Sequence, residues 1–210
     1  MNMSGFTKED FHVFQLEGLD ERMTAIQNQI QPKFQDIGSQ LTTDLSMLIG
    51  NEMYLHIAKH ARRKVNPPND TWLAIADNKR GYKKHPHFQL GLFDDHLFIW
   101  LAFIYELPAK SAIANCFLNE LDLFSSLSND MVVSLDHMKK DAKPLVNFSE
   151  EELKQSLIRL RDVKKAEFLI GKHLTPNDEV VQDKEKLVEY VKRTYEELLP
   201  LYQLAMSANE

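Results

Sequence analysis

Cysteine occurs once in this chain of 210 residues, at Cys116. An internal disulfide is excluded, and a single thiol fits a reducing compartment. Cys116 falls beside Phe117 on a predicted amphipathic helix, where it reads as a buried structural thiol. Glycine is also scarce, with seven. Gly81 and Gly91 stand alone, so no glycine-rich phosphate loop exists. Neither Gly-x-Ser-x-Gly nor His-Glu-x-x-His occurs, which leaves serine-nucleophile and zinc-protease chemistry without an anchor. No apolar run reaches the roughly 20 residues that span a bilayer. Met1 to Asp10 holds no apolar signal core, so a cytoplasmic protein without a membrane segment is expected. There is no low-complexity tract and no internal repeat.

What is present supports a full core: 43% of the residues are apolar. The length suits one domain over 1–210, with a helical N-terminal part at 6–48, a sheet core at 52–173 and a C-terminal helix at 182–205. The stretch from Asn51 to Pro108 organises the rest. It carries both tryptophans and five of the eight histidines. Met53, Leu55 and Ile57 alternate with Tyr54, His56 and Ala58, the period of a half-buried strand. Thr71–Asp77, 87–93 and 96–105 read as three further strands, the last two joined by a tight turn at Asp94-Asp95. The last is apolar on both faces and predicts a central strand covered on both sides. Short links force these four to run mainly antiparallel.

Around them lie helices. Thr7 and Asp10 can cap a helix start, with Phe6 and Phe11 as its hydrophobic staple. Residues 20–31 and 33–48 carry helical stripes interrupted by Pro32. A helix over 109–125 buries Ile113, Phe117, Leu121 and Phe124. Met131–Leu135 and Ala166–Lys172 read as strands. Ser149 and Glu152 form a capping box for a helix to about Arg161. Pro200 should kink or shorten the last helix. The class is α+β, with a mainly antiparallel sheet of about five or six strands flanked by N-terminal and C-terminal helices.

Several runs are distinctive. They are Gly5-Phe6-Thr7-Lys8-Glu9-Asp10-Phe11, His56-Ile57-Ala58-Lys59-His60-Ala61-Arg62-Arg63 with Asn66-Pro67-Pro68-Asn69-Asp70-Thr71-Trp72, Gly81-Tyr82-Lys83-Lys84-His85-Pro86-His87-Phe88 with Gly91-Leu92-Phe93-Asp94-Asp95, and Arg161-Asp162-Val163-Lys164-Lys165-Ala166-Glu167-Phe168. Over nearly the whole chain the sequence resembles the YktB-like family of firmicute bacteria, a domain of unknown function. The resemblance implies a bacterial cytosolic α+β protein and carries over no catalytic or binding residue.

Charge gives the strongest functional signal. Between Lys59 and His87 there are eight Lys/Arg and two acids, a formal +6 in a chain of −6, so the remainder is −12. Lys79, Arg80, Lys83, Lys84 and His85 in one loop, and Arg62 and Arg63 in another, are candidate anion-binding residues. A solvated face paired with Asp94, Asp95 and the acidic helices is the plainer account. The two loops fall at opposite ends of the second strand, ~23 Å apart, so they do not close on one phosphate. Trp72, Tyr82 and Phe88 could stack on bases or serve the core.

His56 and His60, four apart on a strand, are ~13 Å apart, too far to share an ion, so neither metal nor cofactor is expected. His56 and His87 are weak candidates for a phosphoesterase acid–base pair. Ala58 and Gln89 stand where such sites usually carry a hydroxyl. His137, after Asp136, stands in a polar segment without a catalytic pattern. The leading expectation is a non-enzymatic binding protein for nucleic acid or a nucleotide-like anionic ligand; a phosphoesterase and a protein-interaction module are the alternatives. Reversing Lys83 and Lys84 to glutamate should abolish anion binding at little cost in stability. Arg62 and Arg63, expected beside Asp94 and Asp95, should destabilise the fold when reversed.

Overall fold

In the computed structural model, which describes residues 4–208, the outermost positions of the expected 1–210 unit lie outside the described residues. Helix α1 (Lys8–His12) begins at the expected cap: the Asp10 carboxylate accepts the Thr7 backbone N–H at 2.7 Å. Lys33 then pairs with Asp10 at 2.6 Å, tying α1 to a helix further along. Helices α2 (Leu19–Ala25) and α3 (Gln31–Ile49) follow. The expected break at Pro32 is absent. A π turn over Ile26–Ile30 joins the two helices, and Pro32 sits in the first turn of α3, where its missing N–H costs least.

Strands β1 (Tyr54–Ile57), β2 (Thr71–Ala76), β3 (His87–Leu92) and β4 (Leu97–Phe103) make the expected antiparallel meander. Then come α4 (Lys110–Asn119), α5 (Asp122–Ser125), β5 (Val132–Ser134), β6 (Lys143–Pro144), α6 (Glu150–Asp162), β7 (Phe168–Leu174), α7 (Glu179–Gln182) and α8 (Lys184–Ser207). One sheet of seven strands results, in the order β1-β2-β3-β4-β7-β5-β6, with every pair antiparallel. The strand beyond the expected six is β6, whose two residues are too few to show a pattern. The helix expected over 109–125 is two helices, because Glu120 leaves helical geometry at φ −129°, ψ 46°. Pro200 lies inside α8 without ending it.

The pleat sorts the side chains. Leu73, Ile75, Phe88, Leu90, Ile99, Leu101, Phe103 and Ile170 face the helices and join their large core cluster. Phe98, Trp100, Ala102 and Leu169 face the other way, into a smaller cluster with Phe93 and Ile104 to which no described helical residue contributes. Among the described residues, loops cover that second face. β4 is buried at all seven positions between β3 and β7, as expected for a strand apolar on both sides. Gly91 lies opposite Phe98, and a Cβ there would meet the Phe98 ring at 2.2 Å, so glycine makes the room that ring needs.

Trp100 is 5% exposed on this second face. Trp100→Ala is expected to cost about 3–5 kcal/mol through lost transfer and cavity terms. Denaturant unfolding measures it, and a loss under about 1 kcal/mol would contradict the central role of β4.

Candidate functional site

A groove of about 1070 Å³ runs along β1, the end strand of the sheet. One wall is the α2–α3 helix, which presents Gln27, Gln31, Pro32 and Gln35. The floor is Leu55, His56, Ile57 and Lys59, and the opposite wall is the loop from Asn78 to His85, with Glu106 beside it. The Gln31 amide donates to the Ala58 carbonyl at 3.1 Å and fixes one end. Arg80 and Lys84 are exposed, and Lys83 pairs with Glu106 at 3.1 Å. Among the described residues no carboxylate pairs with Lys59, Arg80 or Lys84.

Behind the loop wall is a hydrogen-bonded aromatic layer on the helix-free face. The Trp72 indole N–H donates to the Tyr82 hydroxyl at 3.0 Å. The Tyr82 ring packs between His56 and His87, with centroids 5.5 and 4.9 Å away. The His56 Nε2 contacts the Asn78 carbonyl at 2.8 Å. His87 is fully buried; its Nδ1–H donates to the His85 carbonyl at 2.8 Å, and its Nε2 accepts from the Gln89 amide at 2.8 Å. Burial pushes the His87 imidazole down to about 4. Neutral, and engaged at both nitrogens, His87 is poorly suited to acid–base work.

A second polar cluster lies further along the same face. Glu167 accepts from the backbone N–H of Tyr105 at 3.2 Å, from that of His137 at 2.8 Å, and from the His137 ring at 2.8 Å. Burial pulls the His137 imidazole down, but the hydrogen bond and charge of Glu167 outweigh it and hold it above its ordinary value. Burial pushes the nearby Asp70 carboxyl up to about 6, and its Oδ2 has no hydrogen-bond partner among the described residues. Asp136, His137 and Glu167 bring one ligand atom each within 4.8 Å of one another. Glu167 already holds the 136–138 turn against the sheet, so its oxygens are occupied by donors.

Of the residues picked out by charge, the groove gathers Arg80, Lys83, Lys84 and His85. Lys79 is exposed beside it and does not line it. Arg62 and Arg63 lie elsewhere. They do not meet Asp94 and Asp95, which pair instead with Lys140 and, for Asp95, with the His96 ring at 2.7 Å. Arg62 is exposed and Arg63 reaches the Pro67 carbonyl at 3.5 Å, so the expected structural use of the two arginines is corrected. His60 is outside β1, at φ 49°, and bonds Thr71 Oγ1 at 3.0 Å. Cys116 is half-buried rather than buried. Sequence reasoning passed over Gln27, Gln31 and Gln35; their spacing of four was the available signal. His137, set aside in the sequence for want of a catalytic pattern, has its partner Glu167 thirty residues away.

A family model described as a domain of unknown function (DUF1054) matches residues 6–202. The chain belongs to that family. A UPF0637 protein of Oceanobacillus iheyensis is 60% identical over 208 residues, 99% of this chain and 100% of the relative. One from Shouchella clausii is 61% identical over 209 residues, 99% and 98% of the two chains. One from Listeria monocytogenes is 50% identical over 206 residues, 98% and 100%. These firmicute relatives bear out the resemblance to the YktB-like family. Among the described residues of this DUF1054 chain, no helix is long and apolar enough to cross a membrane.

The buried histidines set a pH dependence. Burial lowers His60 and His87 to about 4 and His173 to about 3, against an ordinary 6.5. The unfolded chain takes up protons at these sites below about pH 6.5, and the folded chain does not until about 4, so their stabilisation is complete above 6.5 and lost on acidification. Asp70, raised to about 6, and His137, held above its ordinary value by Glu167, act oppositely, two groups against these three and His96, which burial also lowers. The urea midpoint is expected to fall between about pH 7.5 and 5, and an unchanged or raised midpoint would contradict this.

Proposed function

We propose that the protein is a non-enzymatic binding protein for an anionic partner, held in the groove between the α2–α3 helix and the 78–85 loop. The observation that carries this reading is the groove's charge. Among the described residues, Lys59, Arg80, Lys83 and Lys84 line it against a single carboxylate, Glu106, which Lys83 already pairs. In a chain of net charge −6 that local excess marks the place where an anion gains most. A volume of about 1070 Å³ admits a nucleotide-like ligand, a nucleic-acid strand or an acidic polypeptide. The other basic loop is left out, which argues against one long polyanion track. The phosphoesterase alternative has no support in the geometry, because hydrogen bonds engage His87 at both nitrogens and His56 at Nε2.

Binding of two labelled probes, a short single-stranded oligonucleotide and polyglutamate, followed by fluorescence anisotropy, tests the proposal. At least one probe is expected to bind with an affinity that falls steeply with salt. The double variant Arg80→Glu/Lys84→Glu should lose about tenfold or more while unfolding like the wild type, since both side chains are exposed. Arg62→Glu/Arg63→Glu should leave binding and stability unchanged. Salt-independent binding, or equal losses in the two double variants, would overturn the assignment.

A further inference from the structure

The floor of the groove is a sheet edge, and its open backbone groups can be assigned from the register. β1 pairs with β2 so that Tyr54 faces Ala76, His56 faces Ala74 and Ile57 faces Leu73. One residue beyond the strand, the Ala58 N–H donates to the Trp72 carbonyl at 2.9 Å. Hydrogen-bonded and non-hydrogen-bonded pairs alternate in an antiparallel ladder. The hydrogen-bonded residues of β1 are therefore Tyr54 and His56, continuing to Ala58. Leu55 and Ile57 turn their N–H and C=O away from β2. Among the described residues nothing bonds to those groups. Leu55 and Ile57 both line the groove. They stand two residues apart, ~6.8 Å, which is the repeat an added strand presents.

We infer that the anionic partner is an extended acidic polypeptide segment that adds as an eighth strand along β1. The inference rests on the reading of the groove as an anion site and names the class of partner. The two walls flank the edge on opposite faces of the sheet. Alternate side chains of an added strand therefore point to different walls. One set meets Arg80, Lys83 and Lys84; the other meets Gln27, Gln31 and Gln35. The fitting sequence carries Asp or Glu at every second position, with polar or small residues between.

Two other occupants fit less well. A nucleic-acid strand has no N–H and C=O ladder to match Leu55 and Ile57. It also needs an open aromatic face for stacking, whereas Tyr82 is packed between His56 and His87, and Phe88 is fully buried. A second copy of this chain brings a β1 edge enclosed by the same helix and loop, so edge-to-edge pairing sets wall against wall.

The test uses the full chain and a ten-residue peptide alternating Glu with Thr, compared with a version N-methylated at alternate residues on the pairing edge, and with a single-stranded oligonucleotide. Peptide binding is expected to weaken with salt, to fall about tenfold or more on N-methylation, and to slow amide hydrogen exchange at Leu55 and Ile57 by about tenfold or more. Ile57→Pro, which removes one outward N–H at an edge position that tolerates proline, should weaken peptide binding alone. If that variant does not fold, the N-methylated peptide carries the same test. Peptide binding with no protection at Leu55 and Ile57 overturns strand addition. Oligonucleotide binding that depends on Lys84, without peptide binding, overturns the polypeptide partner and keeps the anion site. Binding of neither probe overturns both.

Discussion

The helices that pack on the sheet pack on one face of it, and the rest of the molecule follows from that asymmetry. α3 and α8 bury the side chains of Leu73, Phe88, Ile99 and their neighbours. The opposite face still carries Phe98 and Trp100, too apolar to leave in water, and only loops remain to cover it. A loop brings backbone donors and acceptors with it, and under cover these must be paired. Much of the pairing comes from side chains. His87 bonds the His85 carbonyl, His56 meets the Asn78 carbonyl, and Glu167 accepts the amides of Tyr105 and His137. The histidine-rich look of the 51–108 stretch is thus largely the chemistry of holding loops onto a sheet.

Buried lysines make the groove's cations conspicuous by contrast. Lys110 is 7% exposed and donates to the carbonyls of Val163, Lys164 and Ala166 just past α6. Lys172 is 8% exposed and pairs with Asp130 and Glu197 at 2.9 and 3.2 Å. Each cation taken out of water has its own oxygens, as the cost of burial requires. Among the described residues Lys59, Arg80 and Lys84 have no such partner, and they stay in solvent along a concave surface. Their placement is not explained by the fold.

Much of the fold was legible because its signals are local. The Thr7–Asp10 and Ser149–Glu152 boxes announce α1 and α6 within four residues each. The two-faced apolar run of β4 announces a strand with neighbours on both sides. Pro32 misled because a proline reads as a break unless it falls in a first turn, and a π turn upstream decides where that turn begins. The candidate site was half legible. The positive loop is plain in the sequence, but the groove exists only where it meets a helix some fifty residues earlier. Arg62 and Arg63 were misplaced for the same reason. Which carboxylate takes which cation depends on Lys140, which arrives from the β5–β6 connection and reaches Asp94 and Asp95 first.

The π turn at Ile26–Ile30 also aligns the wall of the groove. In an α-helix, residues four apart advance by about 40° beyond a full turn, so a row spaced by four winds off the face it starts on. A π turn is wider, closing i→i+5 bonds, and each of its residues rotates the helix by less. Gln27 to Gln31 crosses the wide turn and falls short of a full revolution; Gln31 to Gln35 overshoots it. The two errors oppose each other, and Gln27, Gln31 and Gln35 all line the same groove. The irregularity is a phase correction: with regular α geometry throughout, Gln27 and Gln35 would stand about 80° apart around the helix and the row would wind off the wall.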